Sequence, residues 1–332
     1  MDSFKGKKVL ITGSTGLIGH CLVEKLIDYG ANVIASGRSI ERLTKTFVNR
    51  GFQCKCLAFD ISKDCIPDSV GIVDYIFHAA SPISGVEISE KPVDVIDANI
   101  KGARNCLEYL RLQQKQTGHK GKFIVFSSAT IYGNNTDGDI SVKECDTNIA
   151  GTLEANNACY AESKRMIEVL ARSYCEQYGV EIVIARIGWV YGYSLNIPNT
   201  AFYSFCKNAV NGEDIILKNS GLPRRDNIHV FDVVNGLLTV ALRGNSGSVY
   251  NISSNGEYGN FASIDEMARE IGYAAKKNGV NVDVVIPNAN KKRQGGIRMD
   301  NTALKNLGWN LQMSLEDGIE QTLLRYFNRS PL

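Results

Sequence analysis

Tyr160 and Lys164, one helical turn apart, are the pair in this 332-residue chain best suited to moving a proton. A phenol of ordinary pKa about 10 does not exchange protons at neutral pH, but neighbouring positive charge, an ammonium first of all, would favour its phenolate. The spacing alone carries little, because Tyr203 and Tyr273 also precede a lysine by four residues, and both read as ordinary helix residues. What separates Tyr160 is its company. It opens a helix expected over 158–178, and it follows Ser128, which ends the apolar strand at Phe123–Phe126. Ser128 would hydrogen-bond and orient a substrate oxygen, Tyr160 would take or return the proton, and Lys164 would hold the phenolate.

Such chemistry needs a redox partner, and the N-terminus has a place for one. Lys8–Thr12 reads as a buried strand, and Gly13-Ser14-Thr15-Gly16-Leu17-Ile18-Gly19 follows with glycines three apart. Gly13 allows the turn, Gly16 lets backbone approach a pyrophosphate, and Gly19 lets the helix pack close to the strand. The helix start adds unpaired N–H donors and the positive end of its dipole. After the second strand, from Asn32 to Ala35, Gly37 and Arg38 occupy the position where an acidic residue would accept from a ribose 2′-hydroxyl. An arginine there suits a 2′-phosphate, so NADP is expected over NAD.

The elements that must position these groups alternate. Strands are expected at Gln53–Phe59, ending in Asp60, then at Gly71–Phe77 and Val180–Ile187, with a last one at Ser248–Ile252. A helix over Val93–Leu112 carries Asn99, and a polar link runs from Gln113 to Lys122. The small residues Ala79, Ala80 and Ser81 would let backbone lie against a cofactor, and His78 is expected to pack in the core. Asn134–Asn157 reads as a loop over the site. This rhythm predicts an α/β fold, a doubly wound parallel sheet (Rossmann fold) with ligands at the carboxyl ends of the strands and a smaller C-terminal substrate lobe. Residues 1–192 and 225–256 are assigned to the dinucleotide-binding unit, and 193–224 and 257–332 to the substrate lobe. Helices are expected near Phe202–Asn211, Asp232–Leu242, Ile264–Lys276 and Leu315–Tyr326.

Composition narrows the class. Lys plus Arg at 37 against Asp plus Glu at 35 gives no bulk charge for nucleic acid or an anionic membrane. No run of 18 apolar residues spans a bilayer, and the first strand follows directly on a short polar start, so a cytoplasmic protein is expected. Nine scattered cysteines, without a Cys-x-x-Cys, argue for neither a zinc site nor a disulfide framework, and no metal is expected.

Taken together, the motifs resemble those of extended short-chain dehydrogenases/reductases of the NAD-dependent epimerase/dehydratase family, whose best-known members act on nucleotide-linked sugars. The resemblance covers nearly the whole chain. It rests on Thr12-Gly13-x-x-Gly16-x-x-Gly19, Asp60, His78-Ala79-Ala80, Asn99-x-x-Gly102, Ser127-Ser128-x-x-Ile131-Tyr132-Gly133, Tyr160-x-x-x-Lys164 and Arg186-x-x-x-x-Tyr191-Gly192. Arg225-Asp226-x-Ile228-His229-Val230-x-Asp232 and Arg298 with Leu307-Gly308-Trp309 complete it. It implies catalysis by Ser128, Tyr160 and Lys164. The implied cofactor contacts are Gly13, Thr15, Gly16, Leu17, Ile18, Arg38, Asp60, Ile61, Ala79, Ala80, Ser81, Asn99 and Ile187, together with Tyr160 and Lys164. Asp60 would meet the adenine. Substrate contacts would come from Ser128, Thr130, Trp189, Arg225 and Arg298, the two arginines holding a nucleotide diphosphate, and a homodimer is implied.

Two departures matter. Trp189 stands where sugar-nucleotide members commonly have Asn. Ala129-Thr130 stands where sugar dehydratases have Asp-Glu and related decarboxylases keep the Glu, which points to epimerases and reductases. The expected function is therefore hydride transfer between a nicotinamide and a sugar hydroxyl or ketone, as an epimerase or an NADPH-dependent keto-sugar reductase. The alternative of another class is a dinucleotide-sensing protein without chemistry.

Overall fold

The computed structural model describes residues 2–83, 85–133, 138–146, 155–218, 220–287 and 294–328. In its first half, chain order gives β1 (Lys8–Thr12), α1 (Leu17–Asp28), β2 (Asn32–Gly37), α2 (Ile40–Thr46), β3 (Lys55–Ala58), β4 (Tyr75–His78), α3 (Gly85–Glu90), α4 (Pro92–Thr117), β5 (Lys122–Ser128), β6 (Ile140–Val142), α5 (Ala158–Tyr178) and β7 (Glu181–Ile187). Then follow β8 (Trp189–Tyr191), α6 (Ala201–Asn211), β9 (Ile215–Ile216), β10 (Arg224–His229), α7 (Val230–Arg243), β11 (Val249–Ile252), β12 (Phe261–Ser263), α8 (Ile264–Lys277), β13 (Val284–Val285), β14 (Gly296–Met299), α9 (Thr302–Asn306) and α10 (Leu315–Phe327).

Seven parallel strands form the main sheet in the order β11-β7-β5-β4-β1-β2-β3, the expected doubly wound arrangement. Alternate residues of each strand feed opposite cores. Val9, Ile11, Ile124 and Val183 pack with Leu22 of α1 and Leu237 of α7. Leu10, Phe123, Val125 and Ile184 pack with Leu107 of α4 and Ile167 of α5. Burial on both faces explains why these strands read as continuous apolar runs. Among the described residues no helix is long and apolar enough to cross a membrane.

A second sheet, β12-β10-β14-β6 with β8 joined to β10, lies beside the first, backed by the α6, α8 and α10 core. Arg224–His229, part of which was grouped by sequence with the dinucleotide-binding unit, forms a central strand of this sheet. Asp226 stitches it together, accepting from the Ser254 hydroxyl and from Met299 N at 2.8 Å. Asp232 accepts from the amides of Gln312 and Met313.

Two expectations are corrected. The polar link from Gln113 is helical through Thr117, because the Gln113 side chain turns inward, accepting from Val73 N at 2.9 Å and donating to Val73 O at 3.0 Å. The stretch read as loop from Asn134 contains β6, paired in parallel with β14; residues 134–137 and 147–154 lie outside the described residues.

Candidate active site

At the carboxyl ends of β1 and β4, Gly13 takes φ +63, and a Cβ there would fall 2.6 Å from the backbone of Ala80. Only glycine permits that approach. A Cβ on Gly19 would meet the Gly13 carbonyl at 2.4 Å, whereas one on Gly16 would meet only that carbonyl, at 3.4 Å. Gly16 is the bare rim of the turn and the N-cap of α1, with no side chain capping the helix. Amide donors at a 12-residue helix terminus, fronted by an open glycine, fit a pyrophosphate.

Arg38 and Asp60 stand close enough at the ends of β2 and β3 to interact. Burial would raise the Asp60 carboxyl, but the Ser62 hydroxyl and amide, with Lys63 and Arg38, outweigh it and hold it below the usual range. Arg38 is exposed, and beside it the nearest neighbour a Gly37 Cβ would meet is Leu43, at 3.8 Å. Ile61 is buried, its carbonyl accepting from Asn105 at 2.8 Å. Ile187 closes β7.

Ser128, Tyr160 and Lys164 come together. The hydroxyls of Ser128 and Ser81 lie close enough to the Tyr160 phenol to favour its phenolate, and the Lys164 ammonium lies 5.6 Å from the phenol ring centre. Ser81 donates to Asn99 Oδ1 at 2.7 Å, Asn99 Nδ2 donates to Ser163 Oγ at 2.8 Å, and Ser163 returns to the Tyr160 carbonyl. Asn99, expected as a cofactor contact, is buried with both ends of its amide engaged, tying α4 to α5 behind Tyr160.

The expected lowering of the phenol by Lys164 is not produced by the chain's own groups. Burial pushes Tyr160 up, against the two serine hydrogen bonds, and pushes Lys164 down to about 7. Both groups are taken out of water together, and desolvation disfavours the charged form of each.

Three successive turns of α5 clamp the end of β5. Tyr160 meets Ser128, Lys164 donates to the Phe126 carbonyl at 2.8 Å, and Glu168 accepts from the Ser127 hydroxyl. Glu168 is also the bidentate partner of buried Arg186, at 3.0 and 2.8 Å, and Arg186 continues to the Tyr132 hydroxyl at 2.9 Å and the Glu144 carbonyl at 2.8 Å. Glu168 was not singled out by sequence. The signal available was its place in the same four-residue spacing as Tyr160 and Lys164.

Of the expected substrate contacts, Thr130 Oγ1 donates to Ser128 Oγ at 3.0 Å, and Trp189, 39% exposed, lies 4.1 Å beneath the Arg225 guanidinium. Arg225 and Arg298 are not brought together. Register pairs Arg225 with Ile297, so Arg298 falls on the opposite face, over Phe261, its Nε buried without a hydrogen-bond partner among the described residues. Arg224, on the Phe261 face as well, is spent on Asp139 at 2.8 Å. A cavity of about 600 Å³ between α5 and β11, lined by Glu144, Cys145, Arg172 and Ser248 among others, touches none of the site residues.

A glycine-turned dinucleotide fold carrying a serine, a tyrosine and a lysine at its strand ends defines a class of nicotinamide-dependent enzymes. The chain belongs to the NAD-dependent epimerase/dehydratase family, whose model matches residues 9–253. It is 28% identical to UDP-glucuronic acid decarboxylase 3 of Arabidopsis thaliana over 326 residues, covering 94% of this chain and 86% of the relative. Two solved structures share the fold at 23% identity. UDP-glucose 4-epimerase of Thermotoga maritima, solved with UDP-glucose, has a TM-score of 0.74 and covers 96% of this chain and 97% of that one. The enzyme WbmF of Bordetella bronchiseptica, in complex with NADH, has a TM-score of 0.73, with 98% and 93% covered.

Proposed function

We propose that this enzyme moves hydride between a nicotinamide dinucleotide and a sugar hydroxyl or ketone of a nucleotide sugar, as an epimerase or a reductase. The bound dinucleotide supplies the hydride acceptor and donor. The observation that carries the reading is the convergence of Ser128, Tyr160 and Lys164 at the strand ends beside the glycine turn. Tyr160 Oη takes the hydroxyl proton or gives it back, Ser128 Oγ orients the substrate oxygen, and Lys164 fixes the strand end and adds positive charge when protonated. Arg225, flat against Trp189, offers its guanidinium fork to a phosphate. The nucleotide-sugar assignment is supported by the relatives, a UDP-glucuronic acid decarboxylase and a UDP-glucose 4-epimerase solved with UDP-glucose.

Ala129 and Thr130 favour epimerase or reductase over the decarboxylation named for the Arabidopsis relative, since neither is a carboxylic acid. Exposed Arg38 with the open Gly37 favours NADP, with NAD as the alternative. A homodimer is supported by Met166 and Val169 on α5 and Val93 on α4, which stay 50%, 54% and 68% exposed.

The test is Tyr160→Phe, assayed with nucleotide sugars and either cofactor. Turnover should fall by about 10²-fold or more with cofactor affinity within a few-fold. A parent that binds dinucleotide but turns over no nucleotide sugar would favour the sensing alternative. Denaturing the purified protein and identifying the released nucleotide separates the two enzymatic modes, because a retained cofactor fits internal epimerisation and an empty site fits a reductase.

A further inference from the structure

The peptide joining Thr15 to Gly16 lies at the rim of the glycine turn and is held from both sides. Its N–H donates to the Gly13 carbonyl at 3.0 Å. Its carbonyl, that of Thr15, accepts from Asn196 Nδ2 at 2.9 Å, across 181 residues of sequence. Asn196 belongs to the segment that leaves β8 for α6, and that segment is anchored in the second lobe by two buried phenols. Tyr203 Oη donates to the Gly192 carbonyl at 3.0 Å. Tyr326 Oη accepts from Ser194 N at 3.0 Å and donates to Ser194 O at 3.2 Å, and Ser194 Oγ donates to the Asn196 carbonyl at 2.8 Å. A hydrogen-bonded path therefore runs from the glycine turn through Asn196 and Ser194 to the last helix, and Leu17, the first residue of α1, packs against the cores of both lobes.

We propose that Asn196 is the latch by which the second lobe holds the glycine turn in its binding shape, so that it sets how long a dinucleotide stays bound. The inference rests on the dinucleotide reading above. The amides of Leu17 and Ile18 follow the Thr15–Gly16 plane directly, and they converge on one anion only while that plane is fixed. Gly16 has no side chain to restrain it, so the plane is held by the Gly13 carbonyl on its N–H side and, from the other lobe, by Asn196 on its carbonyl side. The coupling is reciprocal. Dinucleotide on the turn favours the closed position of the Gly192–Thr200 segment, and a substrate that orders this segment slows release of the dinucleotide. An epimerase, which must give the hydride back before its cofactor leaves, needs the latch shut, whereas a reductase must open it in every cycle. Asn196 is a positioning residue in this scheme, without contact to the reacting atoms.

The experiment measures dissociation rates of NADPH and NADH by stopped-flow displacement, following nicotinamide fluorescence, for the parent, Asn196→Ala, Asn196→Asp and Tyr326→Phe. Loss of one neutral hydrogen bond should speed release about tenfold in Asn196→Ala. Asn196→Asp should be faster still, because its carboxylate not only fails to donate but also repels the Thr15 carbonyl oxygen and the anionic dinucleotide beside it. Tyr326→Phe, which loosens Ser194 and leaves Asn196 in place, should fall between parent and Asn196→Ala, and it keeps the test open if an Asn196 variant fails to fold. Hydrogen exchange at residues 15–19 should quicken in the same order without added cofactor. A parent that binds neither dinucleotide overturns both this inference and the function proposed above. A parent that binds, with all variants within twofold of its release rate, overturns the latch alone.

Discussion

Lys164 and Phe126 are joined by a 2.8 Å hydrogen bond from a buried ammonium to a backbone carbonyl two residues before Ser128. Burial holds the lysine at about 7, far below its ordinary 10.5. Between those values the unfolded chain keeps a proton that the folded chain has released, so folding stability rises with pH across that window and is lowest at and below 7. Lys164→Met removes the buried charge. The variant should melt higher than the parent at pH 6.5, with the advantage shrinking towards pH 10, while turnover falls by about 10²-fold or more. Thermal melts at the two pH values check the sign, and a variant that melts lower throughout would mean that the bond to Phe126 outweighs the desolvation.

Glu168 and Arg186 form a buried ion pair beside the end of β5, each side chain 8% exposed. Removing one partner leaves a buried charge that its remaining neutral hydrogen-bond partners do not neutralise. Glu168→Ala should cost about 3–5 kcal/mol in urea unfolding. Glu168→Leu combined with Arg186→Met should recover part of that loss, and a double variant no better than the single would place the stabilisation in the bonds to Ser127 and Tyr132 instead.

The cofactor preference turns on one phosphate. Thermal shifts with NADP should exceed those with NAD at equal concentration, and Arg38→Ala should erase the difference. Equal shifts in the parent would remove Arg38 from the site.

The enzyme should not eliminate water from a 6-hydroxylated nucleotide hexose. After oxidation at C4, elimination needs a base at C5 and an acid for the departing C6 hydroxyl. Ala129 cannot titrate, and the Thr130 hydroxyl is occupied with Ser128. Among the carboxylates of the 134–157 stretch and the first turns of α5, Glu144 accepts from Asn251 N at 2.8 Å and Glu162 is exposed, while Glu154 lies outside the described residues. Mass spectrometry of the products decides, and a product lighter by one water would contradict this assignment.

The main sheet and the Tyr160 helix are legible because local pattern and final environment agree. Lys8–Thr12 is apolar because both faces of β1 are covered, and Gly13 is glycine because Ala80 leaves no room for a Cβ. The second sheet is not legible, because Arg224–His229 and Trp189–Tyr191 are short strands created by pairing between distant segments rather than by alternation. The same reason hides the facing of the two arginines, since a pleat assigns sides only after register is known. Gln113, placed by sequence at the start of a polar link, and Glu168, which no motif marks, are buried, their polar atoms satisfied by partners far along the chain.

Strand β6 at Ile140–Val142 pairs, among the described residues, only with β14 at Gly296–Met299. A ribosome working at about 5–20 residues per second releases the later strand on the order of ten seconds after the earlier one. Ser128, Tyr160 and Lys164 have by then all emerged, so the nascent chain can assemble the groups proposed to move the proton well before the lobe beside them is finished. Throughout that interval residues 140–142 lack their strand partner, and an unpaired strand edge is a template on which another chain can pair.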